Sequence, residues 1–536
     1  MKWLLTLIFA LNCFGATVTP YDYLASQTKP IFKSNTSFPK LGNFGWPEFS
    51  LALRTEVATN WGYYIQFGSY NSLNNGGVET DLTNTVGSNI VALCKAYPSI
   101  YKLQIITDKA LSTNLSTGFY VTNAAGQFVD NNTNLWTGSP TTPYHAITSP
   151  EGSDADWNLQ ASYIARAVAT LQSNVDISLI MDGGEWGLGV PGYDRKSWQF
   201  DPRCISAMAT NGLSWNRYSS TRKAHQQGII ASAVRSATPH RQMYVFYKTD
   251  YEKTRFVQPG YDPWEDTFGQ WGWASDLMNP VTDLPSLEDY YTGDGSFTNA
   301  TGINWNDVTD LLTFHLNSKG FNIGLGKPYD YSWVSGGWPS TDTGWVTNTS
   351  RLADIPKYTG LLKCLYTAGT VGAVAGQFTY QNGTFNAIFD SSSPPHWIPQ
   401  IQSLAHVHAL FTWLDSFVYS SDLLPGPTNH LWSTDQPAYE FPTGYAHDRV
   451  LARKYQNRDQ WIVTAWAADG VDRDVTVTLP TAGALTVNAR AAGSVYFVRK
   501  DGATVTQTLI DVNGTTPTIG MNLPQWDTSI ILRVKP

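Results

Sequence analysis

The stretch that decides the fold, residues 175–193, reads VDISLIMDGGEWGLGVPGY. Val175, Ile177, Leu179 and Ile180 form an apolar, β-branched run, the composition of a strand buried on both faces of a parallel sheet. The run breaks at Gly183-Gly184; Glu185 and Trp186 follow, with Gly187 and Gly189 behind them. A strand that ends in a glycine-flanked carboxylate and an indole carries its polar groups to the end where α/β barrels place theirs. By itself the same stretch also describes a tight turn with an exposed Glu, so the flanking elements decide.

Working outward, residues 17–40 are polar and irregular, and a rhythm of strand and helix follows them. Strands are predicted at 41–46, 63–67, 101–107, within the opening stretch, and at 242–247, 284–291, 321–325 and 371–380. Between them the 3.6-residue spacing of apolar side chains predicts helices at 48–61, 82–97, 156–172, 221–237, 305–318, 358–370 and 396–417. Residues 109–153, rich in Gly, Asn, Thr and Pro, read as an insertion at the strand ends. Eight strands alternating with helices predict an α/β fold, a (β/α)8 TIM barrel, with the opening stretch as strand four. From Val450 the texture changes to short alternating runs such as QWIVTAW and SIILRV, spaced by Gly, Asp and Asn, which predict a small antiparallel β-sandwich. The expected division is a signal peptide at 1–16, a catalytic barrel at 17–423, a linker at 424–449 and the sandwich at 450–536.

The N-terminus, MKWLLTLIFALNCFGA, has a charged start, an apolar stretch and a small-residue exit, the grammar of a signal peptide, so a secreted or periplasmic protein is expected. Nothing after it is long and apolar enough to span a membrane. Its removal leaves Cys94, Cys204 and Cys364, enough for one disulfide at most. His406 and His408 stand two apart and share no helical face, so no zinc spacing is present, and neither metal nor cofactor is expected. The net charge of −8 without a basic stripe argues against a nucleic-acid partner. Charged residues make up only 15%, against 21 Trp and 28 Tyr, a balance that suits stacking on the C–H faces of sugars. A carbohydrate is the expected partner.

The positions after the predicted strands hold acids and rings. Asp182, Glu185 and Trp186 follow strand four; Lys248, Asp250 and Glu252 follow strand five; Glu288, Asp289, Tyr290 and Tyr291 close strand six. Tyr329, Asp330, Tyr331, Trp333 and Trp338 follow strand seven, and Gln377 belongs to strand eight. Carboxylates and aromatics with neither thiol nor histidine cluster are the equipment of glycoside hydrolysis: one carboxyl protonates the leaving oxygen while a second attacks the sugar or activates water. Glu185, Glu288 and Asp330 are the catalytic candidates. Trp186, Tyr290, Tyr291, Tyr331, Trp333, Trp338, Lys248 and Gln377 are the candidates for substrate binding.

With its acid after strand four and a β-rich C-terminal region, the chain resembles the (β/α)8 retaining glycoside hydrolases, most nearly the exported bacterial agarase- and carrageenase-type enzymes that act on algal galactans. The resemblance implies that Glu185 is the acid/base. It also implies an Asn before that Glu, where this chain has Gly184, and a Glu nucleophile after strand seven, where 321–338 offers Asp330 as its only acid. Either Asp330 or Glu288 is then the partner, or the site is not the usual retaining pair. A non-catalytic carbohydrate-binding protein on a degenerate barrel is the alternative. A polysaccharide lyase is disfavoured by the scarcity of clustered His and Arg.

Overall fold

A computed structural model of the chain describes residues 19–44, 50–67, 77–106, 117–126, 148–182, 198, 200–237, 243–246, 249–250, 272–290, 308–336, 355–376, 397–427, 438–457, 460–468, 476–479, 485–488, 494–498, 505–508, 518–519 and 528–533. The first helix, α1 (Pro20–Ser26), is closed by a reciprocal cap between Thr19 and Asp22. It is followed by β1 (Gly42–Phe44), α2 (Leu51–Asn60), β2 (Ile65–Gln66), α3 (Gly77–Thr83), α4 (Thr85–Ala96) and β3 (Leu103–Ile106). Then come α5 (Asp154–Gln172), β4 (Ile177–Asp182), α6 (Pro202–Asn211), α7 (Trp215–Ala237) and β5 (Met243–Phe246). A two-residue parallel pair, β6 (Thr249–Asp250) with β7 (Gly272–Trp273), and the short α8 (Ser275–Met278) lead to β8 (Glu288–Tyr290). The region ends with α9 (Val308–Gly324), β9 (Asp330–Ser335), α10 (Ile355–Ala368), β10 (Thr370–Gly376), α11 (Trp397–Thr412) and α12 (Asp415–Val418).

The strands form two four-stranded parallel sheets, β2-β3-β4-β5 and β1-β10-β9-β8. A parallel bridge between Leu41 and Tyr63 joins them, with Leu41 N donating to Gly62 O at 3.0 Å and Tyr64 N donating to Leu41 O at 2.7 Å. Eight parallel strands thus follow one another in the order β5-β4-β3-β2-β1-β10-β9-β8. Among the described residues no pairing joins β5 to β8. The two sheets face a common interior at Gly42, where a Cβ would stand 3.2 Å from the Tyr331 hydroxyl, 3.2 Å from Val374 and 3.3 Å from Leu179. Side chains from β4, β9 and β10 converge on β1 there, so a Cβ would require them to give by a few tenths of an ångström. One layer further, the buried Gln104 side chain of β3 accepts from Asn43 N at 3.0 Å and donates to Asn43 O at 2.6 Å. On the outer faces α5 and α7 pack along each other, and α10 packs along both α9 and α11.

The predicted strands fall on observed ones except for the seventh. Residues 321–325 are the last turn of α9 and the residues just beyond it, and the strand is Asp330–Ser335. The apolar run that looked extended continues a helix buried on nearly every side. The true strand was hidden by its polar residues, because Asp330 and Ser332 are satisfied by hydrogen bonds inside the fold. The helix expected at 82–97 is two helices, α4 being restarted by the Asn84 side chain, which accepts from Gly87 N at 2.7 Å. Helix α6, opened by Asp201 and Pro202, was not foreseen. The three cysteines are buried and free.

The second region is a six-stranded antiparallel sheet in the order β11-β12-β13-β19-β16-β17 and a three-stranded sheet in the order β14-β15-β18. Their ranges are β11 Ser421–Leu423, β12 Asp448–Tyr455, β13 Gln460–Ala467, β14 Thr476–Leu479, β15 Leu485–Asn488, β16 Ser494–Val498, β17 Val505–Thr508, β18 Thr518–Ile519 and β19 Thr528–Arg533. The pairing is antiparallel apart from β15 with β18. The larger sheet begins at Ser421, ahead of the expected linker, and within that linker Gly426 N bonds Ala438 O and Phe441 N bonds Val450 O. The sheet shares its core with α10: Leu451, Ile462 and Trp466 belong to the same buried cluster as Leu361 and Leu365. Arg453 locks the contact from β12, donating to Thr367 O at 3.2 Å, Val418 O at 3.2 Å and Ser421 O at 2.7 Å.

Candidate active site

Because the eight strands are parallel, all their C-terminal ends lie on one rim. Asp182 ends β4 in register with Phe246 of β5, and Tyr290 ends β8 in register with Ser335 of β9. Parallel α/β folds use this rim for chemistry, since its loops can vary without disturbing the core. Glu185 and Trp186 come three and four residues after Asp182; together with Lys248, Tyr291, Trp338 and Gln377 they lie outside the described residues. Glu288 and Tyr290 are described as backbone positions of β8, on either side of Asp289.

Asp330 does not follow strand seven; it opens it, at the opposite rim. Its carboxylate is fully buried and accepts from Lys319 Nζ, from Thr370 Oγ1 at 2.7 Å and from Ser332 Oγ at 2.9 Å. Burial is the largest single influence and pushes this carboxyl up, but the charges of Lys319 and His315 and the hydrogen bonds from Lys319 and Thr370 together outweigh it and hold Asp330 below the usual carboxylate range. His315 of α9 bridges to the neighbouring strand, its Nδ1 3.0 Å from Asp289 Oδ2 and its Nε2 3.7 Å from Asp330 Oδ2. This is a buried ion-pair network between α9, β8 and β9, and it fills the lone pairs that a reacting carboxylate needs free.

Tyr331 and Trp333 are likewise not on a loop. They alternate with Ser332 and Val334 along β9 and are buried, at 0% and 3% exposure. The Tyr331 hydroxyl donates to Lys40 O at 2.6 Å, which makes it an interior strut rather than an open sugar platform. With strand seven ending at Ser335, the acids that follow it before α10 are Asp342 and Asp354, outside the described residues.

A polar cluster that the sequence reading missed lies where α5, α6 and α7 begin. Asp201 is fully buried and accepts from Ser149 Oγ at 2.7 Å, Arg203 N at 3.0 Å and Arg203 Nε at 2.9 Å. The guanidinium of Arg203 donates onward to Gly118 O and Tyr120 O, both at 2.7 Å. Next to it the Tyr218 hydroxyl donates to Glu151 Oε1 at 2.7 Å, and Cys204 lies 3.8 Å from Ser149 Oγ. Burial pushes the Cys204 thiol up to about 12, so it is no ready nucleophile. The available signal was the Asp-Pro pair that opens α6. Among the described residues no cluster of His, Cys, Asp and Glu has the arrangement of a metal site.

The sequence matches no protein-family model and no curated protein. Similar solved structures include a noncanonic maltogenic alpha-amylase from Thermotoga neapolitana, at 9% identity over 84% of this chain and 80% of that one, with a TM-score of 0.35. A conserved exported protein from Bacteroides fragilis is similar at 9% identity over 94% of this chain and 99% of that one, with a TM-score of 0.39. A type I pullulanase from Bacillus subtilis, complexed with maltose, is similar at 10% identity over 84% of this chain and 56% of that one, with a TM-score of 0.40.

Proposed function

We propose that the chain is an exported glycoside hydrolase that cleaves a poly- or oligosaccharide of galactan type by paired-carboxylate catalysis. The observation that carries this reading is the order of eight parallel strands around a common interior, with Glu185 three residues beyond the last residue of β4. That order supports a closed (β/α)8 barrel within 17–423, and the β-rich region proposed as a sandwich at 450–536 is entered through β11 and β12, from Ser421 onward. Glu185 acts as general acid, giving its proton to the leaving oxygen. Glu288 of β8 is its partner in preference to Asp330, whose lone pairs are filled at the opposite rim. Trp186, Tyr290, Tyr291 and Trp338 line the sugar subsites, with Lys248 and Gln377 as hydrogen-bonding groups.

The test is release of reducing ends from agarose, carrageenan and a starch control by wild type and by Glu185→Gln. Wild type cleaves a galactan and the variant binds it without turnover; appreciable turnover by the variant removes Glu185 from the mechanism. A separation of about 5–5.5 Å between the Glu185 and Glu288 carboxyls in a sugar complex corresponds to retention, and roughly 6.5–9.5 Å to inversion. One observation favours a second reading, a non-catalytic carbohydrate binder: residues 336–354, which follow β9, contain no Glu. Calorimetric binding of a glycan by wild type with no reducing ends released would select it.

A further inference from the structure

The described ends of the chain segments that leave β3 and β4, residues 117–126 and 148–153 of the first and 198 and 200–201 of the second, meet at a buried carboxylate. Near its return the first segment pairs with itself, through the Tyr120–Thr148 bridge and the bond from Ser149 N to Phe119 O at 2.9 Å. The second returns at Trp198, whose indole donates to Thr148 O at 3.0 Å, and ends at Asp201. Asp201 is more than a helix cap. A cap needs one backbone amide, and Asp201 has that of Arg203. It also holds the Ser149 hydroxyl on one side and the Arg203 guanidinium on the other, and Arg203 in turn holds the carbonyls of Gly118 and Tyr120. The knot sits on an apolar cluster of its own, Phe119, Trp157, Trp198, Trp215 and Cys204, separate from the two main cores.

We propose that Asp201 is a positioning residue, fastening the segments that leave β3 and β4 into one unit at the rim where Glu185 acts. This inference rests on the reading of Glu185 given above. Long connections have little local structure to hold a functional group still, whereas a reacting carboxyl must be kept within about 0.5 Å of its productive place. Charge-assisted bidentate hydrogen bonds to a buried carboxylate are short and directional, so they supply that stiffness where sequence-local contacts do not. The knot joins loops to loops and to α5, α6 and α7.

The test uses the full chain with Asp201→Asn, Arg203→Lys and Glu185→Gln. Asp201→Asn keeps the shape but removes the charge; Arg203→Lys keeps the charge but loses the fork that reaches Gly118 and Tyr120. In each, kcat per folded molecule falls about ten- to a hundredfold with KM nearly unchanged. The two together lose little more than either alone, because they act as a unit. Backbone hydrogen exchange in 117–126 and 148–153 quickens in both, while exchange in β3 and β4 does not. A purely structural role would instead lower the folded fraction and leave kcat per folded molecule intact. An unchanged kcat in Asp201→Asn beside an inactive Glu185→Gln overturns the positioning role alone. Turnover that survives in Glu185→Gln overturns the hydrolase assignment on which it rests. Unchanged exchange in 117–126 overturns the knot whatever the activity.

Discussion

The two rims of the parallel strands use acids in opposite ways. At the N-terminal rim Asp330 is buried and its oxygens are occupied by Lys319, Thr370 and Ser332. At the C-terminal rim Asp182 and Tyr290 end their strands, and Glu185 follows in a glycine-rich stretch. A carboxylate surrounded by donors is held ionised and serves to bind α9 to β9. A carboxyl that delivers a proton needs an environment that favours its neutral form and a face left for substrate. The contrast teaches that an acid in a parallel α/β fold is to be judged by the strand end it occupies before its neighbours in sequence are weighed.

The sharpest way to break the contrast is to exchange the treatment of the two rims. Glu185→Gln is expected to lower turnover about a thousandfold or more, with the thermal midpoint almost unmoved; a large stability loss instead would make Glu185 a structural acid like Asp330. Lys319→Met is expected to do the reverse. It strands the Asp330 carboxylate in the core and costs about 3–5 kcal/mol, read as a drop in the urea midpoint, with kcat per folded molecule retained. Adding Asp330→Leu to that variant recovers most of the loss, since both charges then disappear together. If the double variant is no better than the single one, the network does more than balance charge.

Smaller effects test how the parallel region is held to its surroundings. A Cβ on Gly360 of α10 would lie 2.4 Å from Trp466 Nε1, so Gly360→Ala is expected to cost about 1–3 kcal/mol by forcing α10 away from β13. Asp415 fastens residues 33–37 to α12, accepting from Lys33 Nζ at 2.5 Å, Thr36 Oγ1 at 2.9 Å and Ser37 N at 2.7 Å. Burial pushes the Asp415 carboxyl up, but these donors outweigh it and hold it down to about 2, against an ordinary 3.8. Its contribution is therefore complete above about pH 4 and is lost as pH falls through about 2. With Lys33 31% exposed and screened by water, that contribution is about 1 kcal/mol. Asp415→Asn removes it at pH 7, and a stability difference from wild type that persists undiminished at pH 2 contradicts the assignment.

Strand four was legible because a run of β-branched residues ending in two glycines admits few other conformations. Strand eight was legible from its short unbroken run of small apolar residues, Val371 to Ala375, and the helices α5 and α7 because their apolar spacing is regular. Strand seven was not. Its outward positions, Asp330 and Ser332, are polar only because Lys319 and Thr370 wait for them, and no local pattern announces partners that are distant in sequence or sit on another strand. The error carried Asp330 from one rim to the other and placed Tyr331 and Trp333 on a loop, when strand alternation buries them. The Asp201 knot was missed for a related reason: its partners Ser149, Gly118 and Tyr120 are more than fifty residues away in sequence.

Sequence alone determined the alternation of strands and helices, the change to β structure after Val450, and the glycine-flanked Glu185 after the fourth strand. These follow from local periodicity and backbone freedom, which neighbouring residues encode. Only the tertiary structure decided that Asp330 is an internal ion pair, that the second sheet begins at Ser421 and shares the α10 core, and that Asp201 ties two loops together. Each of those depends on charges and hydrogen-bond donors that meet through packing, and burial determines whether an acid is neutralised by its partners or left free to react.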